Sequence, residues 1–184
     1  MATPAPVKYV AFLRGINVGG NKTIKMAELT RALEKSGLSD VKTILASGNV
    51  LFSTKKSPVG SLQSKLEKAI QSSLGVVCCV VVRSVADLEK LADSKPFAGV
   101  KPDPDLRQFV TFGTCDFTSS DAGEKPKTPN YKIVRRTTSD LCITFVAAPG
   151  LKTPDVMADL DKRFGRSITT RTWNTIEKIL AATR

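Results

Sequence analysis

The residues with the clearest potential for chemistry lie in "LRGINVGGNKTIKMAEL", residues 13–29, where an apolar run gives way to a helical pattern. Arg14 ends the apolar run, and three glycines, two asparagines and two lysines follow before the helix. Glycines let backbone N–H groups approach a ligand closely, and a helix N-terminus favours negative charge. A guanidinium adds two parallel donors that suit phosphate or carboxylate. The pattern therefore predicts a loop that binds an anion.

A second polar group, "SGN" at residues 47–49, joins two predicted strands and is expected beside this loop. In a β-α-β-β-α-β sheet the strand order is 4-1-3-2, so the end of strand 1 lies next to the start of strand 3. The predicted ligand-binding residues at this edge are Arg14, Gly15, Asn17, Gly19, Gly20, Lys22, Lys25, Ser47 and Asn49.

A structural role is the alternative for the same residues. Arg14 would pair with an acidic side chain, while Asn17 and Asn49 would cap turns through neighbouring backbone groups. The glycines would then only supply positive φ angles.

Near the C-terminus, "SITTRTWNTIEKIL" is typical of a short strand that leads into a helix. Thr172 is a suitable N-cap, and Arg171 and Asn174 are the candidates for a ligand edge. The alternative for both is solvent exposure and local capping. Trp173, Ile176 and Leu180 share one helical face and are predicted to be core residues.

The composition excludes several kinds of catalysis. The chain has no histidine, which rules out a Ser-His-Asp triad, a Cys-His pair and a histidine general base. No C-x-x-C pair exists, so no zinc site is predicted, and no cofactor is predicted either. The four cysteines are predicted to be small buried hydrophobic residues. An enzyme acting on a phosphorylated or carboxylated small molecule would need Lys or Asp as acid or base, and its catalytic residues are unknown. A purely structural or interaction protein is the third possibility.

Two phosphate-related patterns fit poorly. Gly15 and Gly20 have the glycine spacing of a P-loop, but Asn21 intervenes before Lys22. The RNA-recognition module shares the β-α-β-β-α-β order and stacks bases on aromatic residues of its first and third strands. Here those strands offer Tyr9 or Phe12, on opposite faces, and Phe52 alone, so RNA would be bound chiefly through its phosphates.

Length and charge set broader limits. With 184 residues, 41% of them hydrophobic, the chain can form one ordinary domain or two small subdomains. No apolar run reaches the roughly 20 residues that span a bilayer, and no basic region precedes the first apolar run, so we expect a cytoplasmic protein without a signal peptide or membrane contact. The formal net charge of +11 favours phosphorylated small molecules or nucleic acid as partners, although a basic protein without such a partner is equally compatible.

The elements that would position these residues suggest an α+β fold with two parts. Residues 1–83 are predicted to form a ferredoxin-like βαββαβ subdomain with its last strand at 76–84, and residues 84–184 a smaller α+β subdomain with a C-terminal helix. The second part is interpreted as a degenerate copy of the first. Ser84 and Asp87 have capping-box spacing, and the polar stretch 118–130 is predicted to be a mobile loop.

The quoted "LRGINVGGNKTIKMAEL", together with "SGNVLFST" and "TTRTWNTIEKI", resembles a widespread bacterial family of unknown function. The resemblance covers nearly the whole chain and implies a ferredoxin-like N-terminal half, but no activity. The chain departs from the family pattern at two places. The usual serine-lysine pair is absent, with Lys152 and Thr153 nearest to it, and Thr172 stands where the family has an asparagine before the tryptophan.

Overall fold

The computed structural model describes residues 5–17, 23–118, 131–147 and 153–184. The chain divides into two compact units, one of Met1–Lys90 with Lys178–Arg184 and the other of Leu91–Glu177. Each unit contains one four-stranded antiparallel sheet. None of the described helices is long and apolar enough to cross a membrane.

The first unit has the predicted split βαβ topology. Its elements are β1 (Val7–Leu13), α1 (Met26–Lys35), β2 (Ser39–Ile44), β3 (Asn49–Thr54), α2 (Val59–Leu74) and β4 (Val80–Ser84). The order in the sheet is β2-β3-β1-β4, and every neighbouring pair is antiparallel. The predicted order 4-1-3-2 is therefore confirmed.

Side-chain alternation explains how this sheet packs. Tyr9, Ala11 and Leu13 are alternate residues of β1, and they belong to one apolar cluster with Leu29 of α1 and Leu66 of α2. Both helices end where the sequence predicted. Gly75 follows α2 directly with a left-handed φ of 69°, and Gly37, with a φ of 85°, follows Ser36, the C-cap residue of α1.

Strand β4 is shorter than predicted, and a helix follows it without a loop. Residues 76–79, which the apolar pattern assigned to the strand, precede it, so Cys78 and Cys79 lie outside the sheet ladder. Helix α3 (Val85–Asp93) begins after Ser84, the expected N-cap, whose side chain bonds to Asp87. The Ser84 hydroxyl donates to Asp87 Oδ2 at 2.6 Å and accepts from the Asp87 N–H at 3.1 Å.

The second unit repeats the topology of the first sheet. Its elements are β5 (Leu106–Gly113), β6 (Tyr131–Arg136), β7 (Asp140–Val146), α4 (Thr153–Phe164), β8 (Ile168–Thr172) and the start of α5 (Trp173–Ala181), whose residues from Lys178 onward are grouped with the first unit. The order β6-β7-β5-β8 matches β2-β3-β1-β4 strand for strand. The predicted mobile loop falls almost entirely on residues 119–130, which lie outside the described residues, as does Lys152.

A buried polar network ties this sheet to its helix. The Tyr131 hydroxyl at the start of β6 donates to Asp159 Oδ2 at 2.5 Å and accepts from Arg163 Nη1 at 2.8 Å. Asp159 and Arg163 lie one turn apart on α4, whose Val156 packs in the apolar cluster with Phe109. The pKa of Tyr131 rises to about 12, mainly because its hydroxyl is buried and next because it donates to Asp159.

The predicted core face of α5 is wrong in part. Ile176 is fully buried, but Leu180 is only half-buried and Ile179 takes its place in the interior. Trp173 is also half-buried, and its ring meets the ring of Phe97 edge to face at 5.3 Å. The tryptophan occupies the first position of the helix, where its side chain packs on a preceding loop instead of the core.

Candidate functional site

The predicted edge of the first sheet is formed by three chain segments that hydrogen-bond to one another. The N–H of Leu13 donates to the Gly48 carbonyl at 2.8 Å, which joins the end of β1 to the β2–β3 turn. The N–H of Arg14 donates to the Cys79 carbonyl at 2.9 Å, which joins the same end to the segment before β4. The topology thus brings Arg14, the turn and the start of the glycine-rich loop to one edge.

Asn17 holds the base of the glycine-rich loop. Its Nδ2 donates to the carbonyls of Ile24 at 3.1 Å and Ala46 at 2.9 Å, and its Oδ1 accepts from the Ile24 N–H at 2.7 Å. Its φ of 56° is left-handed, a conformation that asparagine tolerates better than most residues. One side chain therefore fixes both ends of the loop against the β2–β3 turn. Gly19, Gly20 and Lys22 lie outside the described residues.

Asn49 closes the turn itself. It is fully buried, and its Nδ2 donates to the Ile44 carbonyl at 2.9 Å and to Ser47 Oγ at 3.0 Å. The side-chain amides of Asn17 and Asn49 thus bond mainly to backbone groups at the ends of the loop and within the turn, as the structural alternative requires. The sequence indicated that these two amides could bond to nearby backbone, but it did not indicate which residues would be their hydrogen-bond partners.

Arg14 is half-buried and close enough to Cys79 for its charge to act on the thiol. Burial, and then the negative charge of Glu67, raise the pKa of the Cys79 thiol, while the positive charge of Arg14 lowers it. Glu67 itself accepts the N–H of Val80 at 2.9 Å through Oε1. Because its pKa is raised, Cys79 stays a thiol at neutral pH and is a poor nucleophile.

Gly15 and Lys25 flank the loop on the exposed side. Gly15 has a φ of 68°, and a Cβ built there would have no neighbour within 4 Å. Lys25 is the N-cap residue of α1, makes no side-chain cap bond, and its Nζ lies 3.7 Å from Glu28. The first turn of α1 therefore presents its N–H groups without a capping side chain.

The second predicted pair, Arg171 and Asn174, belongs to the second unit. Arg171 is largely buried, and its Nη1 donates to Thr169 Oγ1 at 2.7 Å and to the Thr170 carbonyl at 2.8 Å. Burial lowers the pKa of its guanidinium to about 10. Asn174 is exposed and lines a cavity of about 480 Å³ together with Trp173.

Sequence reasoning missed a larger cavity of about 780 Å³ in the same unit. Its polar lining includes Lys101, Lys132 and Thr144. A weak signal was present, because Lys132 on β6 and Thr144 on β7 alternate with residues that pack in or against the apolar cluster of the second sheet. The loop before β5 contains three prolines, and its sequence gave no indication that it forms a wall of this cavity.

The fold and this edge define an α+β protein with two sheets of ferredoxin-like order. The chain belongs to the family described as "Protein of unknown function (DUF1697)", which it matches over residues 7–133. It is also similar to a solved structure described as that of conserved bacterial protein SP0830 from Streptococcus pneumoniae. The two chains are 23% identical with a TM-score of 0.72, over 98% of this chain and 100% of the other, which establishes the shared fold. No functionally curated protein matches the sequence.

Proposed function

We propose that the edge of the first sheet binds a phosphate-bearing ligand through Arg14, Lys25 and backbone N–H groups of the glycine-rich loop. The observation that carries this proposal is the three-bond attachment of Asn17, which holds both ends of the loop beside Arg14. Because both ends of the loop are fixed in advance, less conformational entropy is lost when a ligand binds there.

The side-chain amides of Asn17 and Asn49 already form hydrogen bonds within the protein, so we assign the ligand contacts to other groups. Asn17 and Asn49 serve as supports, whereas the contacts fall to the guanidinium of Arg14, the ammonium of Lys25 and the N–H groups of the loop and of α1. We also keep the prediction from the sequence that the ligand is contacted by Gly15, Gly19, Gly20 and Lys22. A net charge of +11 raises the local concentration of any anion.

The aromatic residues argue for phosphate over base recognition. Tyr9, Phe12 and Phe52 are buried, with Tyr9 and Phe52 stacked on each other at 5.8 Å, so no base can stack on them. A nucleic acid would therefore bind through its backbone, without strong sequence preference and with a steep dependence on salt.

Thermal unfolding tests the proposal with wild type, Arg14→Ala and the matched control Arg31→Ala, which removes an exposed arginine of α1. The probes are pyrophosphate, ATP and a short single-stranded RNA, each at two salt concentrations. A probe at 100 times its Kd stabilises the folded state by about 2.7 kcal/mol. We expect this stabilisation in wild type and Arg31→Ala and its loss in Arg14→Ala.

The competing function is structural, and it is favoured by the buried amide of Asn49, which bonds within its own turn to Ile44 and Ser47. In that case no probe shifts the wild-type melting temperature, while Arg14→Ala unfolds several degrees lower without any ligand. That result, or an unchanged probe response in Arg14→Ala, overturns the binding proposal.

A further inference from the structure

The second sheet has one face turned away from α4. Along β7, Leu141, Ile143 and Phe145 pack in the apolar cluster with α4, while Thr144 and Val146 point to the opposite face. Leu106 of β5 pairs in register with Val146, and Val134 of β6 is 38% exposed on the same side. Three neighbouring strands thus contribute aliphatic side chains to an open floor.

A loop between α3 and β5 makes this face concave. At one end Phe97 packs against Trp173, and at the other the Asp105 carbonyl accepts the N–H of Ala147 at 3.1 Å. The resulting groove consists of the 780 Å³ cavity and the adjoining 480 Å³ cavity, and both are lined by Pro102, Asp103 and Leu106. Cavities of about 300–1,000 Å³ are the usual size for small-molecule sites.

The charges in the larger cavity are unequal. Lys101 and Lys132 line it and are exposed, and neither forms a hydrogen bond or ion pair with another residue in the part of the chain that the structure describes. Among the lining residues that the structure describes, Asp103 supplies the one carboxylate, and it accepts the N–H of Asp105 at 2.8 Å. Two ammonium groups therefore border an aliphatic floor.

We propose that this groove binds a small amphipathic anion, a carboxylate or phosphate monoester attached to an apolar body. Lys101 and Lys132 hold the anionic group, and Leu106, Val134 and Val146 take the apolar part. Each CH₂ group of the ligand that leaves water adds to the binding free energy, and an inorganic anion cannot gain this contribution. A cationic amphiphile of the same length would meet two like charges instead. The site is separate from the edge around Arg14 and does not depend on it.

Isothermal titration calorimetry can test each part of this proposal. The probes are octanoate and octyl phosphate, with octyltrimethylammonium as the amphiphile of opposite charge and inorganic phosphate as the anion without an apolar body. The test variant is Lys101→Glu/Lys132→Glu. Its matched control is Lys90→Glu/Lys162→Glu, which makes the same change in net charge on exposed helical lysines outside the groove.

We expect both octyl anions to bind wild type and the control, and to bind the test variant at least tenfold more weakly. Inorganic phosphate and octyltrimethylammonium should bind at least tenfold more weakly than octyl phosphate. Val134→Glu, which places a charge in the floor at an exposed position, should reduce octyl anion binding, while Arg31→Ala, which removes an exposed arginine of α1, leaves it unchanged. Equal binding of the cationic amphiphile, equal losses in test and control variants, or no binding of either octyl anion overturns the proposal.

Discussion

Arg83 and Arg171 occupy the same position in the two sheets of this protein. Arg83 pairs in register with Val10 on β1, and Arg171 pairs with Val110 on β5. Each donates from Nη1 to the carbonyl of the residue before it, at 2.8 Å in both cases. The two units therefore agree in strand order and also in the placement of one largely buried charge.

This equivalence predicts similar costs for removing either arginine. Arg83→Ala and Arg171→Ala should each lower the free energy of unfolding by about 2–4 kcal/mol, because each change deletes buried side-chain atoms and leaves a carbonyl without its donor. Urea denaturation measures the effect, with Arg166→Ala as the exposed control. A cost near zero for one arginine and a large cost for the other would contradict the equivalence.

Asn17 should be important for stability whether or not a ligand binds. Asn17→Ala removes all three bonds of its side chain and places alanine at a left-handed φ, so we expect a loss of about 2–4 kcal/mol. Asn17→Gly removes the same bonds without the conformational strain, and should cost about 1 kcal/mol less. Denaturant unfolding of the two variants separates the cost of the lost hydrogen bonds from the cost of the backbone strain. If both variants were as stable as wild type, Asn17 would not hold the ends of the loop.

Gly48 has a left-handed φ and no room for a side chain. A Cβ there would lie 2.9 Å from both Ile16 Cδ1 and Leu13 Cβ. Gly48→Ala should therefore cost about 2–4 kcal/mol, the sum of backbone strain and overpacking. Gly75→Ala is the matched control, because its φ of 69° is similar but its surroundings are open, and it should cost only about 1–2 kcal/mol. Equal melting temperatures for the two variants would show that the clash relaxes freely.

The raised pKa of Tyr131 predicts a pH-dependent contribution to stability. The folded chain holds the phenolic proton more tightly than the unfolded chain, so this contribution is complete below pH 10 and is lost as the pH rises towards 12. Tyr131→Phe should lower the free energy of unfolding by about 1–2 kcal/mol at neutral pH, because Asp159 loses a donor.

The difference between wild type and Tyr131→Phe should then shrink between pH 10 and 12. Urea unfolding of both proteins at pH 7, 10 and 11 measures it. A difference that stays constant across these pH values would mean that the Tyr131 proton is not linked to folding.

Local patterns in the sequence were sufficient for most of the elements. Apolar periodicity, Gly75 and the Ser84–Asp87 spacing predicted helices and their ends correctly, because these signals act over a few residues. The order of the first sheet followed from the βαββαβ succession. The length of the last strand of that unit was overestimated. An apolar run such as residues 76–84 does not show at which residue hydrogen bonding to the neighbouring strand begins.

By itself, the sequence determined the fold class, the order of the first sheet and the meeting of Arg14, Asn17 and the turn of residues 47–49 at its edge. Tertiary structure alone decided what those residues do there, because the amide of Asn17 finds its partners at Ile24 and Ala46, which no local pattern links to it. It also decided that Trp173 meets Phe97 instead of the core, and that a lysine-bordered groove forms on the second sheet. Hydrogen bonds and packing between distant segments depend on geometry that only the folded chain supplies.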